Sequence, residues 1–218
     1  MIIARIISLA IGYLFGMFST GYFVGKLYNT DIRNHGSGNA GSTNALRTVG
    51  IKGGLMTLTG DVLKCVLAVI ITFLIFHNIY NDGVRLLMMY AGLGTVLGHD
   101  FPFYLGFRGG KGIACTLGFI ISYDIRMAPL LMVVFLGVVF FTRYVSLGSL
   151  IGIGLFFVEV LIFGNMGYID VAPCYLNESY LLAAIIMIIA YVRHKDNIKR
   201  LINGNENKIS FKKAGKEE

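Results

Sequence analysis

The chain has 218 residues, of which 56% are hydrophobic and 14% charged, and its mean hydropathy is +0.71. An average soluble domain is about 25% charged, so this composition excludes a soluble globular enzyme, a disordered chain and a disulfide scaffold, and points to an integral membrane protein. The net charge of +7 suits nucleic acid, anionic headgroups or a phosphorylated substrate, and its placement along the chain must choose among them.

A helix needs about 20 apolar residues to cross hydrocarbon, because every backbone N–H and C=O must be paired within the segment. Residues 2–24, 53–76 and 147–163 predict clear spans, and residues 86–98, 113–123, 130–142 and 180–192 predict shorter ones. The apolar start resembles a secretion signal but runs on without a small-residue cleavage site, so it reads as a retained span. Two architectures follow: seven helices, or five with residues 113–142 forming a re-entrant pair around Asp124 and Arg126.

Fifteen of the nineteen Lys and Arg residues fall in residues 26–52, 108–111, 143 and 193–216; the alternate side holds only Arg5, Arg85 and Arg126, and Lys64 lies inside a span. The positive-inside rule then sets the long Gly-rich loops and the C-terminus in the cytoplasm and the N-terminus outside. The expected fold is an all-α integral membrane protein of about seven transmembrane helices, one polytopic domain over residues 1–218. Its C-terminal segment, residues 195–218, reads as a solvated cytoplasmic end. Cys65, Cys115 and Cys174 have no metal or redox spacing and read as small apolar fillers.

The first loop holds Ser37, Asn39, Thr43, Asn44 and Arg47 among Gly36, Gly38 and Gly41. The glycines, with Asp61 twenty residues on, copy a dinucleotide fingerprint, but that fingerprint requires a soluble βαβ unit and is rejected here. The physical content is more general. Glycines bring backbone N–H groups close to an anion, the polar side chains add donors, and Arg47 adds a fixed charge.

In the second loop, residues 98–112, Gly109, Gly110 and Lys111 open the next helix, where free N–H groups and the positive dipole end favour an anion. Lys111 adds an ammonium, and Phe101, Phe103, Tyr104 and Phe107 fit an interfacial aromatic belt. The third element starts at His194, whose spacing to Asn197 and Arg200 puts all three on one face if the last helix continues inward.

Two further features read differently. His77 and Asp82 match the HxxxxD box of thioester-dependent glycerolipid acyltransferases, but they stand in a short outer loop away from the donor-rich segments. Asp61 and Lys64 are expected to pair beneath the pocket, and Glu159 to snorkel or pair near the outer end of its helix.

The three donor-rich segments, SGN-x-G-[AS]-TN with a later Arg, GHxFPxxxxF[KR]GGKG and HxxNIxRLxxGxExK, are similar in kind, order and spacing to the motifs of the PlsY family, the bacterial membrane acyl-phosphate:glycerol-3-phosphate acyltransferases. The resemblance covers nearly the whole chain, with Ser42 where the family usually has Ala. It implies seven helices in the bacterial inner membrane and an active site at the cytoplasmic face. The implied reaction moves a fatty acyl group from a long-chain acyl phosphate to the 1-hydroxyl of glycerol 3-phosphate, giving lysophosphatidate and phosphate for phospholipid synthesis.

Carried over, Ser37, Arg47, Lys111, His194 and Asn197 would bind substrate phosphate, with Asn39, Thr43, Asn44, His99 and Ser146 completing the pocket. The catalytic candidates are His99, Ser37 and Lys111, with His99 first among protein groups to accept the hydroxyl proton. A phosphate oxygen of the substrate is the other candidate base. No cofactor, metal or nucleic acid is expected; the partners are the two substrates, membrane lipids and the peripheral enzyme that makes acyl phosphate. The competing reading is a transporter of an organic phosphate, which predicts polar residues across the full bilayer depth.

Overall fold

The computed structural model describes residues 1–209; the remainder of the expected cytoplasmic segment, 210–218, lies outside the described residues. Among the described residues the regular structure is helical: α1 Ile2–Met17, α2 Thr20–Leu27, α3 Ser42–Phe76, α4 Val84–Asp100, α5 Ile113–Tyr123, α6 Ala128–Thr142, α7 Val145–Asn165, α8 Pro173–Arg193 and α9 Lys195–Ile202, with short 3₁₀ turns between some of them. Five segments are long and apolar enough to cross a membrane. Their outer faces carry large exposed apolar side chains, Ile3, Leu14, Leu74, Val133, Phe141 and Ile188 among them, as lipid contact requires.

The first span is not continuous. Phe18 is extended and ends α1, and α2 starts at Thr20. The freed Phe18 carbonyl accepts from Lys64 Nζ at 2.8 Å, so a buried ammonium replaces the missing helical partner. A second break lies in α3 at Gly50, whose φ of 83° is open to glycine and strained for other residues. It separates a short turn carrying Arg47 from the long apolar run, so part of the expected first loop is helical.

α1 and α4 form the central seam. A Cβ at Gly12 or Gly16 would sit closer than 3.0 Å to the Ala91 or Thr95 carbonyl, and one at Gly94 or Gly98 equally close to the Leu9 or Tyr13 carbonyl. Helix pairs in lipid gain little from hydrophobicity and depend on such close backbone approach. Near the start of α1, Arg5 pairs with Glu178 of α8 at 2.6 Å, and Tyr90 of α4 donates to the same carboxylate at 2.6 Å. Gly94→Val is expected to cost about 3 kcal/mol or more by overpacking this seam. Gly137→Val, with nothing within 4 Å of its Cβ, is expected to change little. Thermal unfolding of the two purified variants in detergent separates the cases.

The contacts at the ends of α5 and α6 show their course through the bundle. α5 has 11 residues, only about 16 Å of helix. Its last residue, Tyr123, gives its carbonyl to Arg85 at the start of α4, and Arg126 donates to the Tyr168 carbonyl at 2.8 Å, just past the end of α7. The turn at Asp124 therefore stands at the end of the bundle opposite the Gly-rich loops, and both helices run between the two ends. The same far end holds the N-terminus, with Met1 against Tyr80 at 3.4 Å, and the Ala172 N–H on the Asp82 carbonyl at 2.9 Å.

Glu159 departs from the expected pairing: it forms no ion pair among the described residues. α7 continues to Asn165, and Glu159 is buried with Oε2 lacking a partner among the described residues. Cys65 and Cys115 are buried free thiols, as their reading as fillers expects, whereas Cys174 is exposed.

Candidate active site

At the end opposite Met1, the three donor-rich segments close around one cavity of about 2010 Å³. Ser37, Asn39, Thr43, Asn44 and Arg47 from the first loop, His99 and Lys111 from the second, Ser146 at the start of α7, and His194 and Asn197 from the third all line it.

Asn44 organises the first loop. Its amide nitrogen lies 2.7 Å from the Ile32 carbonyl, 2.9 Å from that of Asn39 and 3.1 Å from that of His35, and its Oδ1 accepts from Ser37 N–H at 2.8 Å. The amide is spent on shaping the loop. Asn39 turns its Oδ1 back on Gly41 N–H at 2.9 Å, which leaves its amide N–H groups for the cavity.

The second loop is held differently from the sequence expectation. Gly109 and Gly110 are not in the cavity wall: their N–H groups donate to the Asp100 and His99 carbonyls at 3.2 and 3.0 Å. Arg193 clamps their own carbonyls, reaching Gly110 O at 2.7 Å. The pair thus folds the loop back onto the buried end of α4, and a Cβ on Gly110 would overlap the His99 ring. Lys111 emerges into the cavity beyond them. Burial, with Arg200 and Arg193 nearby, lowers its pKa to about 8.

The third element forms a chain of contacts with Lys111. Lys111 Nζ donates to Asn197 Oδ1, Asn197 Nδ2 donates to Glu206 Oε1 at 2.9 Å, and Arg200 Nε donates to Glu206 Oε2 at 2.8 Å. Because a carboxylate only accepts, Glu206 fixes the amide of Asn197 with its oxygen toward Lys111. His194 places Nδ1 2.7 Å from the Ala190 carbonyl, which can only accept, so Nε2 is its free acceptor. Burial and the Lys111 charge lower His194 to about 4, so the ring is neutral near pH 7.

Four features escaped the sequence reading. Glu206 lies in a tail that looked solvated, yet Asn207 takes a hydrogen bond from Arg47 at 3.2 Å and Ile209 N–H donates to the Arg143 carbonyl at 2.9 Å, binding the tail to the cavity mouth. Thr48 Oγ1, like Ser146 Oγ, is a buried hydroxyl in the cavity wall with no partner among the described residues. Arg193 read only as an inside charge. The expected Asp61–Lys64 pair forms at 2.8 Å, but it also engages His99, whose Nδ1 lies 2.9 Å from Lys64 Nζ.

Asp61, His99 and Cys115 offer ligand atoms all within 4.8 Å of one another, a set that by type suits a metal ion. The Lys64 ammonium stands among them, within hydrogen-bond distance of Asp61 and His99, and supplies the positive charge there.

Below the polar end the cavity turns apolar. Leu55 and Leu58 of α3, Leu117 and Ile120 of α5, Leu131, Phe135 and Phe140 of α6, and Ile153 and Phe156 of α7 line it. His77 and Asp82 are absent from this wall; His77 is half-buried, with Nδ1 near the Phe73 and Leu74 carbonyls.

The family model described as glycerol-3-phosphate acyltransferase matches residues 6–204. A glycerol-3-phosphate acyltransferase of Clostridioides difficile (strain 630) is 43% identical over 97% of this chain and 98% of its own length. The chain belongs to the glycerol-3-phosphate acyltransferase family. As a member of that family it is an acyltransferase of phospholipid biosynthesis, which removes the transporter reading. A Bacillus subtilis (strain 168) glycerol-3-phosphate acyltransferase is 38% identical over 97% of this chain and 100% of its own length. The crystal structure of PlsY (YgiH), an integral membrane glycerol 3-phosphate acyltransferase, in its glycerol 3-phosphate form superimposes with a TM-score of 0.82 at 31% identity, covering 94% of this chain and 96% of that one. That protein has also been crystallised in a lysophosphatidic acid form. The resemblance read from three loop motifs thus extends to an integral membrane fold along nearly the whole chain.

Proposed function

We propose that this acyltransferase moves a long-chain acyl group from acyl phosphate to the 1-hydroxyl of glycerol 3-phosphate, releasing lysophosphatidate and inorganic phosphate. The hydroxyl oxygen bonds to the acyl carbon, the acyl carbon–phosphate oxygen bond breaks, and the hydroxyl proton ends on the departing phosphate. The observation that carries this reading is a single cavity joining a donor-rich end to an apolar run. It suits a small phosphorylated acceptor meeting a lipid-tailed donor at the membrane interface.

Charge supports two phosphate groups there. Arg47, Lys52, Lys111 and Lys208 line the cavity, while its two carboxylates are internally matched, Asp61 by Lys64 and Glu206 by Arg200. In the proposal Ser37, Asn39, Thr43, Arg47, Lys111, Ser146 and Asn197 contact phosphate oxygens, and His194 meets substrate through Nε2. Asn44, Gly109 and Gly110 act by shaping the loops.

An acyl phosphate is already activated, so the protein has chiefly to align two reactants and offset charge; alignment alone is worth about 7–11 kcal/mol. The Lys and Arg asymmetry supports a cytoplasmic site in a bacterial inner membrane, where the peripheral enzyme that makes acyl phosphate would deliver the donor.

Ser37→Ala is expected to remove most turnover from folded enzyme, whereas His77→Ala is expected to leave it within about twofold of wild type, since surface changes away from a site rarely matter. Loss of turnover in a folded His77→Ala variant, with Ser37→Ala near normal, would move the chemistry to the outer HxxxxD box. Lysophosphatidate formation is the readout for both.

A further inference from the structure

The buried cluster beneath the cavity fixes the hydrogen-bonding role of one imidazole nitrogen. A lysine ammonium carries three hydrogens and accepts none. Three acceptors surround Lys64 Nζ: the Phe18 carbonyl at 2.8 Å, Asp61 Oδ1 at 2.8 Å and His99 Nδ1 at 2.9 Å. The ammonium donates to the Phe18 carbonyl and meets Asp61 as an ion pair, and because it has no lone pair to offer, Nδ1 of His99 takes part as its acceptor. The Asp61 oxygen stands 3.5 Å from the same nitrogen, outside the usual range of an N–H···O bond, so it does not compete for a hydrogen on Nδ1.

Reversing the arrangement would require Lys64 to give up its proton beside a buried carboxylate, leaving Asp61 uncompensated, the costliest outcome in such surroundings. A neutral imidazole that accepts at Nδ1 carries its hydrogen on Nε2. His99 also lines the cavity, and no described group accepts from its Nε2.

We propose that Lys64 and Asp61 are positioning residues that lock His99 in its Nε2–H form, so that His99 gives a hydrogen bond to an anionic oxygen of bound substrate and takes no proton from the glycerol hydroxyl. The catalytic part rests on reading the cavity as the acyl-transfer site. The lock itself does not. His194 has the opposite arrangement, with Nδ1–H spent on Ala190 and Nε2 open. The two cavity histidines therefore present opposite hydrogen-bonding faces to substrate, a donor from α4 and an acceptor from the end of α8. Lys64 adds a third function by closing the open carbonyl where α1 ends, which ties the imidazole to the break in the first span.

The test starts with the resting wild-type enzyme in detergent, labelled with ¹⁵N-histidine and recorded near pH 7, with the His99 signals assigned by their loss in His99→Gln. The expected spectrum shows His99 Nδ1 unprotonated and Nε2 protonated; the reverse assignment overturns the lock. Lys64→Met is expected to switch the ring to Nδ1–H facing Asp61 and to lower kcat with little change in KM. If that variant does not fold, the wild-type spectrum still decides. In kinetics, glutamine sets an amide N–H near the Nε2 position but cannot take up a proton near neutral pH. His99→Gln should therefore keep turnover within about tenfold of wild type, while His99→Ala falls roughly 10²-fold, the scale of losing one preorganised donor. Gln as inactive as Ala overturns the donor role. The expected spectrum from a wild-type enzyme that makes no lysophosphatidate would leave the lock standing and reject the reaction instead.

Discussion

Lys111→Met is expected to lower kcat/KM for glycerol 3-phosphate roughly 10- to 150-fold in protein that still folds, the range set by losing one hydrogen bond to a charged group worth about 1.5–3 kcal/mol. Lys111 is the ammonium that Gly109 and Gly110 bring to the cavity, and its one partner among the described residues is a neutral amide oxygen of Asn197. The charge is therefore available to a phosphate. It is also weakly held, because burial and the cations Arg200 and Arg193 lower its pKa to about 8.

The sign of the pH effect follows. The cation exists below about 8 and is lost above it, and kcat/KM reports the free enzyme, so kcat/KM should fall as pH rises through that value. A phosphate monoester loses its second proton near about 6, so the substrate does not titrate in this window. Lys111→Arg keeps a charge throughout and should flatten the alkaline limb, although its planar fork will not reproduce the same contacts. Near-normal turnover in Lys111→Met, or a wild-type profile that does not fall above pH 8, would remove Lys111 from the site.

Gly110→Ala should be nearly as damaging for a different reason. The added Cβ would overlap the His99 ring, and neither side can yield. The ring is held at Nδ1 by Lys64, and the loop backbone is held by His99 O on one side and Arg193 on the other, at 3.0 and 2.7 Å. Overpacking of this kind costs about 1–3 kcal/mol. The larger effect is on rate: displacing an aligned group by about 1 Å can cost roughly 10²-fold. Gly106→Ala is the companion substitution, with nothing within 4 Å of its Cβ and only the strain of a φ of 63°. It should stay within a few-fold of wild type. Equal activity in both variants would show that the loop can shift freely around His99.

Much of this site was legible before any coordinates. Gly-rich loops with Ser, Asn, Thr and Arg, a GGKG turn and a His-x-x-Asn face all read as anion-binding chemistry on one side of a membrane, and they do converge on one cavity. The Asp61–Lys64 pair was legible too, because three-residue spacing on a helix allows little else.

What a sequence cannot display is which polar groups the protein spends on itself. Asn44, Gly109 and Gly110 read as ligands of an anion, but their hydrogen bonds go to loop backbone. The break at Phe18 has no proline to mark it, and the group that takes up its carbonyl is a lysine 46 residues away. Glu206 sits in a polar, mixed-charge tail, and its burial comes from Asn197 and Arg200 rather than from any apolar neighbour in sequence. The α5 span was ambiguous because 11 apolar residues are too few by themselves, and its course shows only through Arg85 at the far end of its neighbour.

The most direct test of the proposed reaction is turnover by the detergent-purified protein with glycerol 3-phosphate and either palmitoyl phosphate or palmitoyl-CoA, reading lysophosphatidate. The account predicts product from palmitoyl phosphate alone. Product from the thioester alone, or none from folded protein with either donor, would contradict it.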